Sequence, residues 1–282
     1  MSIAATIRLY LPFGDAKRIR TAEVINWTGL AIAAPRSELG SFLERRELAK
    51  PGIYILLGVD PDDGNLTAYI GEGEDVATRV NQHKPKDFWN TAIAFVSKDS
   101  NLTKSHIKYL EGKLIGFANA IGRYKLINSQ PSGAKLPESD QSDMDGFLER
   151  VIQLLPVLGS DLLSPIVTRE KTESKNAILR SRMKTAEATG QRTPNGFVVF
   201  KGSTAVLKDR ESAERQGRWV LNLRRKLQED GTLVQKDGLL QFTRDVEFSS
   251  PSAAAAVVHG GNAAGPLAWK DERGRTLKEI EE

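Results

Sequence analysis

The chain has 282 residues, 40% of them apolar and 27% charged, with a formal net charge of +4, three histidines and no cysteine. That length suits two domains with sizeable cores and excludes wholesale disorder, disulfides, thiol nucleophiles and cysteine-ligated zinc. No apolar run approaches the ~18 residues of a membrane span, and the N-terminus lacks a secretory pattern, so the expectation is a cytoplasmic protein with no membrane partner.

In chain order, Ile7, Leu9 and Leu11 alternate in a short strand, and Val24-Ile25 and Leu30-Ala31-Ile32 flank a turn at Trp27-Thr28-Gly29. Ser37 reads as the N-cap of a helix carrying Leu39, Phe42 and Leu43, which Pro51 stops. Residues 1–50 are thus expected to form a β-rich N-terminal extension without evident chemistry. Strands over 53–59 and 66–70 join through the turn signal at 60–65, giving a hairpin. A helix with Glu74 and Asp75 in its first turn follows, then a third strand over 92–96. A helix over 103–120 carries the stripe Ile107, Leu110, Leu114 and Ile115. Residues 128–145 read as loop, and Phe147, Leu148, Val151, Ile152 and Leu155 as a helix that Pro156 ends.

Periodicity lapses over 161–173, which reads as a linker between a domain at 51–160 and a second at 174–282. The second shows a basic helix over 174–188, a strand over 197–200, a helix over 211–229, a strand over 239–242 and an alanine-rich helix after Pro251. Both domains read as α+β, the first built on a three-stranded antiparallel sheet flanked by helices. Charge is uneven: residues 169–226 hold 15 Lys+Arg against 6 Asp+Glu, a net of +9. Such a stretch suits a polyanion, or is an ordinary solvated face.

Several side chains carry potential chemistry. Glu111 is four residues from both Ile107 and Ile115, so its carboxylate lies on or beside a buried face and needs a partner. A divalent cation would serve, as would Lys108. Arg79 and His83, four apart on the helix after the hairpin, could grip a phosphate; alternatively Arg79 pairs with Asp75. Tyr54 and Tyr69 sit on the two hairpin strands, where cross-strand packing is their ordinary use. Trp27, Trp89, Trp219 and Trp269 read as core, and His106 and His259 as structural.

Together these residues make a pattern. Gly52-Ile53-Tyr54, Tyr69-Ile70-Gly71, Arg79, His83, Glu111 and Asn128, in that order, resemble the GIY-YIG nuclease family over about residues 50–130. The resemblance implies a metal-dependent endonuclease that hydrolyses phosphodiester bonds in DNA, in restriction, repair or defence against foreign DNA. It implies that Glu111 holds Mg²⁺, with Mn²⁺ able to substitute, and that Arg79 stabilises charge on the phosphate. It implies a tyrosine as base, Tyr54 being favoured, with Tyr69 and His83 orienting water and phosphate and Asn128 supporting them by hydrogen bonds. Residues 176–282, with Phe200-Lys201-Gly202-Ser203, resemble an accessory domain that accompanies restriction-modification proteins and nucleases. The alternatives are a catalytically inert nucleic-acid-binding protein that keeps the fold, and a nuclease directed at RNA.

Overall fold

The computed structural model describes residues 4–61, 64–128, 130, 133–166, 178–210, 213 and 217–282. The chain divides into two compact units, Met1–Pro165 and Ile166–Glu282. Both mix helices with antiparallel sheets.

Unit 1 runs β1 (Ile7–Tyr10), β2 (Arg20–Val24), β3 (Gly29–Pro35), α1 (Leu39–Leu43), β4 (Gly52–Val59), β5 (Leu66–Gly73), α2 (Val76–Asn81), β6 (Thr91–Ser97), α3 (Lys104–Ile121), β7 (Lys125–Leu126) and α4 (Glu138–Val157). Its sheet has the order β1-β2-β3-β6-β4-β5-β7. Every pairing is antiparallel except β5 with β7. The expected three-stranded sheet is therefore its β6-β4-β5 part. The first fifty residues do not stand apart, because β3 pairs with β6 along its whole length, Gly29 with Ser97 through to Pro35 with Thr91.

β4 is buried from Gly52 to Gly58, which is why it reads as a continuous apolar run rather than an alternating one. One face places Ile53, Ile55 and Leu57 against α3 and α4, through Ile107, Leu110, Leu114, Phe147 and Leu154. The other places Tyr54 and Leu56 with Phe42 of α1, Val76 and Val80 of α2, and Trp89. The start of α3 is set by Thr103, which accepts from the His106 backbone while the His106 ring faces the Thr103 N–H. Such a cap contributes about 1 kcal/mol. Gly122, at φ +67°, ends the helix.

Several expectations need correction. Ser37 caps nothing; it lies in a 3-10 turn, Arg36–Glu38, that feeds α1. The loop expected to 145 ends at Pro137, because α4 begins at Glu138 with acidic residues in its first turn. That part of α4 shows no stripe because only Met144 is buried before Phe147. Pro156 lies inside the last turn rather than ending the helix. Leu162 and Leu163 are buried in the core of unit 1, so the segment from 161 does not start as a linker. Its stretch 167–173 lies outside the described residues.

Unit 2 contains β8 (Leu179–Met183), β9 (Ala186–Thr193), β10 (Gly196–Val199), β11 (Thr204–Val206), α5 (Arg218–Glu229), β12 (Leu233–Lys236), β13 (Leu239–Phe242), β14 (Val246–Phe248), α6 (Pro251–His259), α7 (Gly265–Ala268) and α8 (Leu277–Glu281). Two sheets, β14-β10-β9-β8 and β11-β13-β12, enclose α6. The Ser250 side chain caps α6 by accepting from Ala253 N, with Pro251 in its first turn. The expected basic helix over 174–188 is instead the β8–β9 hairpin, with 174–177 outside the described residues. Its burial alternates, Leu179 and Ser181 in, Arg180 and Arg182 out, which is the period of a strand. Trp219 is 48% exposed, against the expectation of core, whereas Trp89 and Trp269 are buried. Among the described residues, no helix is long and apolar enough to cross a membrane.

Candidate active site

The site is built on the β4–β5 register, which sets Tyr54 opposite Gly71 and Leu56 opposite Tyr69. Tyr54 and Tyr69 therefore point to the same face, their rings stacked with centroids 6.0 Å apart. Gly71 has to be glycine, because a Cβ there would sit 2.5 Å from the Tyr54 hydroxyl and 2.8 Å from Cε1 of Tyr69. The Tyr54 side chain thus lies across its partner strand, over the space that a side chain would fill.

His83 closes the cluster. Its Nε2 is 3.0 Å from the Tyr54 hydroxyl, and its ring is 4.4 Å from that of Tyr69. It is not on α2, as the i,i+4 spacing suggested, but in the loop beyond the helix end at Asn81. Pro85 disfavours helical backbone at Lys84 and so stops α2 short. The backbone oxygen of His83 accepts from the Trp89 indole at 3.0 Å, and Lys86 lies 5.7 Å over the Tyr69 ring. Neither Trp89 nor Lys86 carried a sequence signal for the site.

Exposure separates the two tyrosines. Tyr54 is wholly buried and Tyr69 partly exposed. Burial, reinforced by Tyr69, raises the Tyr54 phenol well above its ordinary value. Burial also lowers the His83 imidazole to about 4, with Lys86 and Arg79 adding to the effect, so it is neutral at pH 7. Arg79 and Glu111 both lie within electrostatic reach of Tyr54 and act on it with opposite sign.

Arg79 is exposed on α2, its stem against Gly73, and it donates to Gln82 Oε1 at 2.6 Å. Asp75 is occupied as the N-cap of α2, accepting from Thr78 N. Glu111 comes from α3 and is buried, only 8% exposed, as its place beside the apolar stripe required. Asn128 reaches the site through the backbone of β5. Its amide embraces the backbone of Ile70, accepting from the N–H at 3.2 Å and donating to the carbonyl.

Could the site hold a metal? Among the described residues, no three His, Asp or Glu side chains group as joint ligands. A cation here would be held by one hard carboxylate oxygen and would have to keep most of its water. That suits Mg²⁺, which dehydrates reluctantly and needs one or two carboxylates, and does not suit zinc. Glu111 therefore fits Mg²⁺.

Unit 2 matches a known family. A family profile described as a domain of unknown function (DUF4357) matches residues 179–281. No curated protein and no solved structure matches the chain. The matched segment holds none of the six site residues, and its histidine is structural: His259 Nε2 lies 2.9 Å from Ser181 Oγ, both buried. His106 is likewise taken up in capping α3. The basic character of unit 2 is partly answered within it. Arg182 pairs with Glu187, Arg192 with Glu281, and the buried Arg224 with Asp209.

Proposed function

We propose that unit 1 is a metal-dependent endonuclease of the GIY-YIG type that hydrolyses phosphodiester bonds in DNA. The observation that carries this reading is the gathering of Tyr54, Tyr69, Arg79, His83 and Glu111 at one end of the β4–β5 pair. Core packing alone has no use for a buried carboxylate beside two phenols, or for an exposed arginine that has no carboxylate partner among the described residues.

Arg79 binds a non-bridging phosphate oxygen with its planar fork and offsets the charge that grows during attack. Glu111 would hold Mg²⁺, which would supply Lewis-acid stabilisation to the phosphodiester. The wholly buried Tyr54 acts through its neighbours. The proton of the attacking water enters at the hydroxyl of Tyr69, which passes its own to Tyr54, whose proton goes to Nε2 of neutral His83. Burial holds the imidazole pKa to about 4, so the charged ring is a transient acceptor, and the proton goes back through Tyr54 and Tyr69 to solvent once the cut strand leaves. This route needs no free phenolate, which burial disfavours. Tyr54 is thus an internal link in the relay rather than the group that meets water.

The experiment is incubation of the full chain with supercoiled plasmid, linear duplex, single-stranded DNA and RNA, with Mg²⁺, Mn²⁺ or EDTA. Metal-dependent nicking of DNA supports the reading. Binding without cleavage under every condition favours an inert nucleic-acid binder, and cleavage of RNA alone moves the substrate.

A further inference from the structure

The loop after α2 reads His83-Lys84-Pro85-Lys86-Asp87-Phe88-Trp89, and its first residue belongs to the tyrosine cluster. The loop is fixed rather than free. Lys84 N bonds to Asn81 O and Lys86 N to His83 O, both at 3.0 Å. At its far end Asn90 N bonds to Leu57 O at 2.8 Å. The Phe88 carbonyl presses on Gly58 so closely that a Cβ there would meet it at 2.2 Å.

Arg36 holds the middle. Its guanidinium donates to the carbonyls of Lys84 (2.9 Å), Lys86 and Trp89 (3.1 Å), and lies 4.7 Å over the Trp89 ring. It also pairs with Asp87 at 3.3 Å, which engages the single carboxylate of the loop. Lys84 and Lys86 are both exposed, and among the described residues neither has a carboxylate partner. The Lys86 ammonium is thus held over Tyr69 at the edge of the cluster, Lys84 adds a second exposed ammonium to the same turn, and Asp87 is engaged by Arg36. Such an arrangement complements a polyanion that passes over Tyr69.

We propose that the Lys84–Asp87 turn is a phosphate-binding arm: Lys84 and Lys86 receive backbone phosphates of duplex DNA next to the one above Tyr69, and Arg36 is the positioning residue that sets the arm. The choice of which phosphate is cut rests on the nuclease reading; the binding itself does not. Residues 1–50 then contribute to the site through Arg36, although that segment carried no chemistry of its own in the sequence.

The test is binding of a short duplex to the full-length chain in EDTA, with affinity followed against salt concentration. Each phosphate that the protein ceases to neutralise lowers the slope of log K against log salt by roughly 0.9, so Lys84→Ala/Lys86→Ala should lower it by about 1.8. Arg36→Ala should lower it as well, and Arg36→Lys should not restore it, because one ammonium cannot serve four acceptors and an aromatic face. An unchanged slope in the double lysine variant, whose changes are confined to exposed side chains, overturns the arm. A duplex RNA of equal length runs in parallel, and loss of slope on RNA alone overturns the assignment to DNA. The two readings separate: a chain that never cleaves but loses slope keeps the arm and drops the nuclease. A chain that cleaves with its slope unchanged drops the arm.

Discussion

The Tyr54 hydroxyl and Nε2 of His83 lie 3.0 Å apart, buried between α2 and the sheet. The imidazole is held neutral there, with its pKa down to about 4. In the unfolded chain the same ring titrates near ~6.5. Between those values the unfolded state binds a proton that the native state refuses, so stability falls as pH drops through that window and is unaffected above it. The slope reaches at most about 1.4 kcal/mol per pH unit. Urea unfolding at pH 7.5, 5.5 and 4.5 should show wild type losing more stability on acidification than His83→Gln. Parallel losses would mean that His83 is protonated in the native state.

Gly71→Ala should damage the site through the partner strand. The added methyl meets the Tyr54 hydroxyl at 2.5 Å, and either that ring or the strand must give. Overpacking of this kind costs about 1–3 kcal/mol. The expected outcome is a lowered Tm together with loss of single-turnover cleavage. Full activity in this variant would show that the hydroxyl need not sit where it does.

Glu111→Gln should leave the fold intact and abolish metal-dependent cleavage while sparing most of the nucleic-acid binding. The side chain keeps its shape and its buried place beside the α3 stripe, and loses the charge that a cation requires. Cleavage at wild-type rate in Mg²⁺ would end the metal assignment.

Tyr69→Phe and Tyr54→Phe should each slow the chemical step by roughly 10²–10⁴-fold, the usual worth of a proton-transfer group. If the relay runs through both, the double variant should be little slower than either single one, since one break interrupts the whole path. Multiplying defects would separate the two phenols into independent tasks. At Arg79, lysine should fall short of arginine, and equal activity would mean that charge alone matters there.

How much of this was legible before the fold? The hairpin and its tyrosines were, because β4 and β5 carry strong strand residues around an unambiguous turn. Glu111 was legible from its place in a 3.6-residue stripe. The position of His83 was not, since the i,i+4 spacing fits a longer helix and only Pro85 argues against it. Arg36 was invisible, because its partners are carbonyl groups fifty residues away and backbone atoms leave no trace in composition. The β8–β9 hairpin was misread as a helix because Arg and Lys dominate its outward face, and charge density masked the alternation of Leu179, Ser181, Ala186 and Ala188.

A chain ending at Pro165 should fold cooperatively on its own. Among the described residues, the clusters that hold Phe42, Tyr54, Trp89, Leu110 and Leu155 draw none from beyond Leu163, and the cluster around Trp269 draws none from before Leu179. Calorimetry of the truncated chain should give a single sharp transition. A broad, non-cooperative melt would show that unit 1 depends on the rest.

The Asn128 amide bears on a hazard common to sheet proteins. Among the described residues β7 pairs with β5 at Thr67 and Ala68 alone, so beyond that point β5 is an outer strand, beside Tyr69, with main-chain groups available to a stranger. Asn128 occupies both the donor and the acceptor of Ile70 with one side chain. A full strand laid there would have brought its own alternating side chains up against the tyrosines. An amide at this point denies a stranger the pair of groups it would need at Ile70, and does so without such crowding.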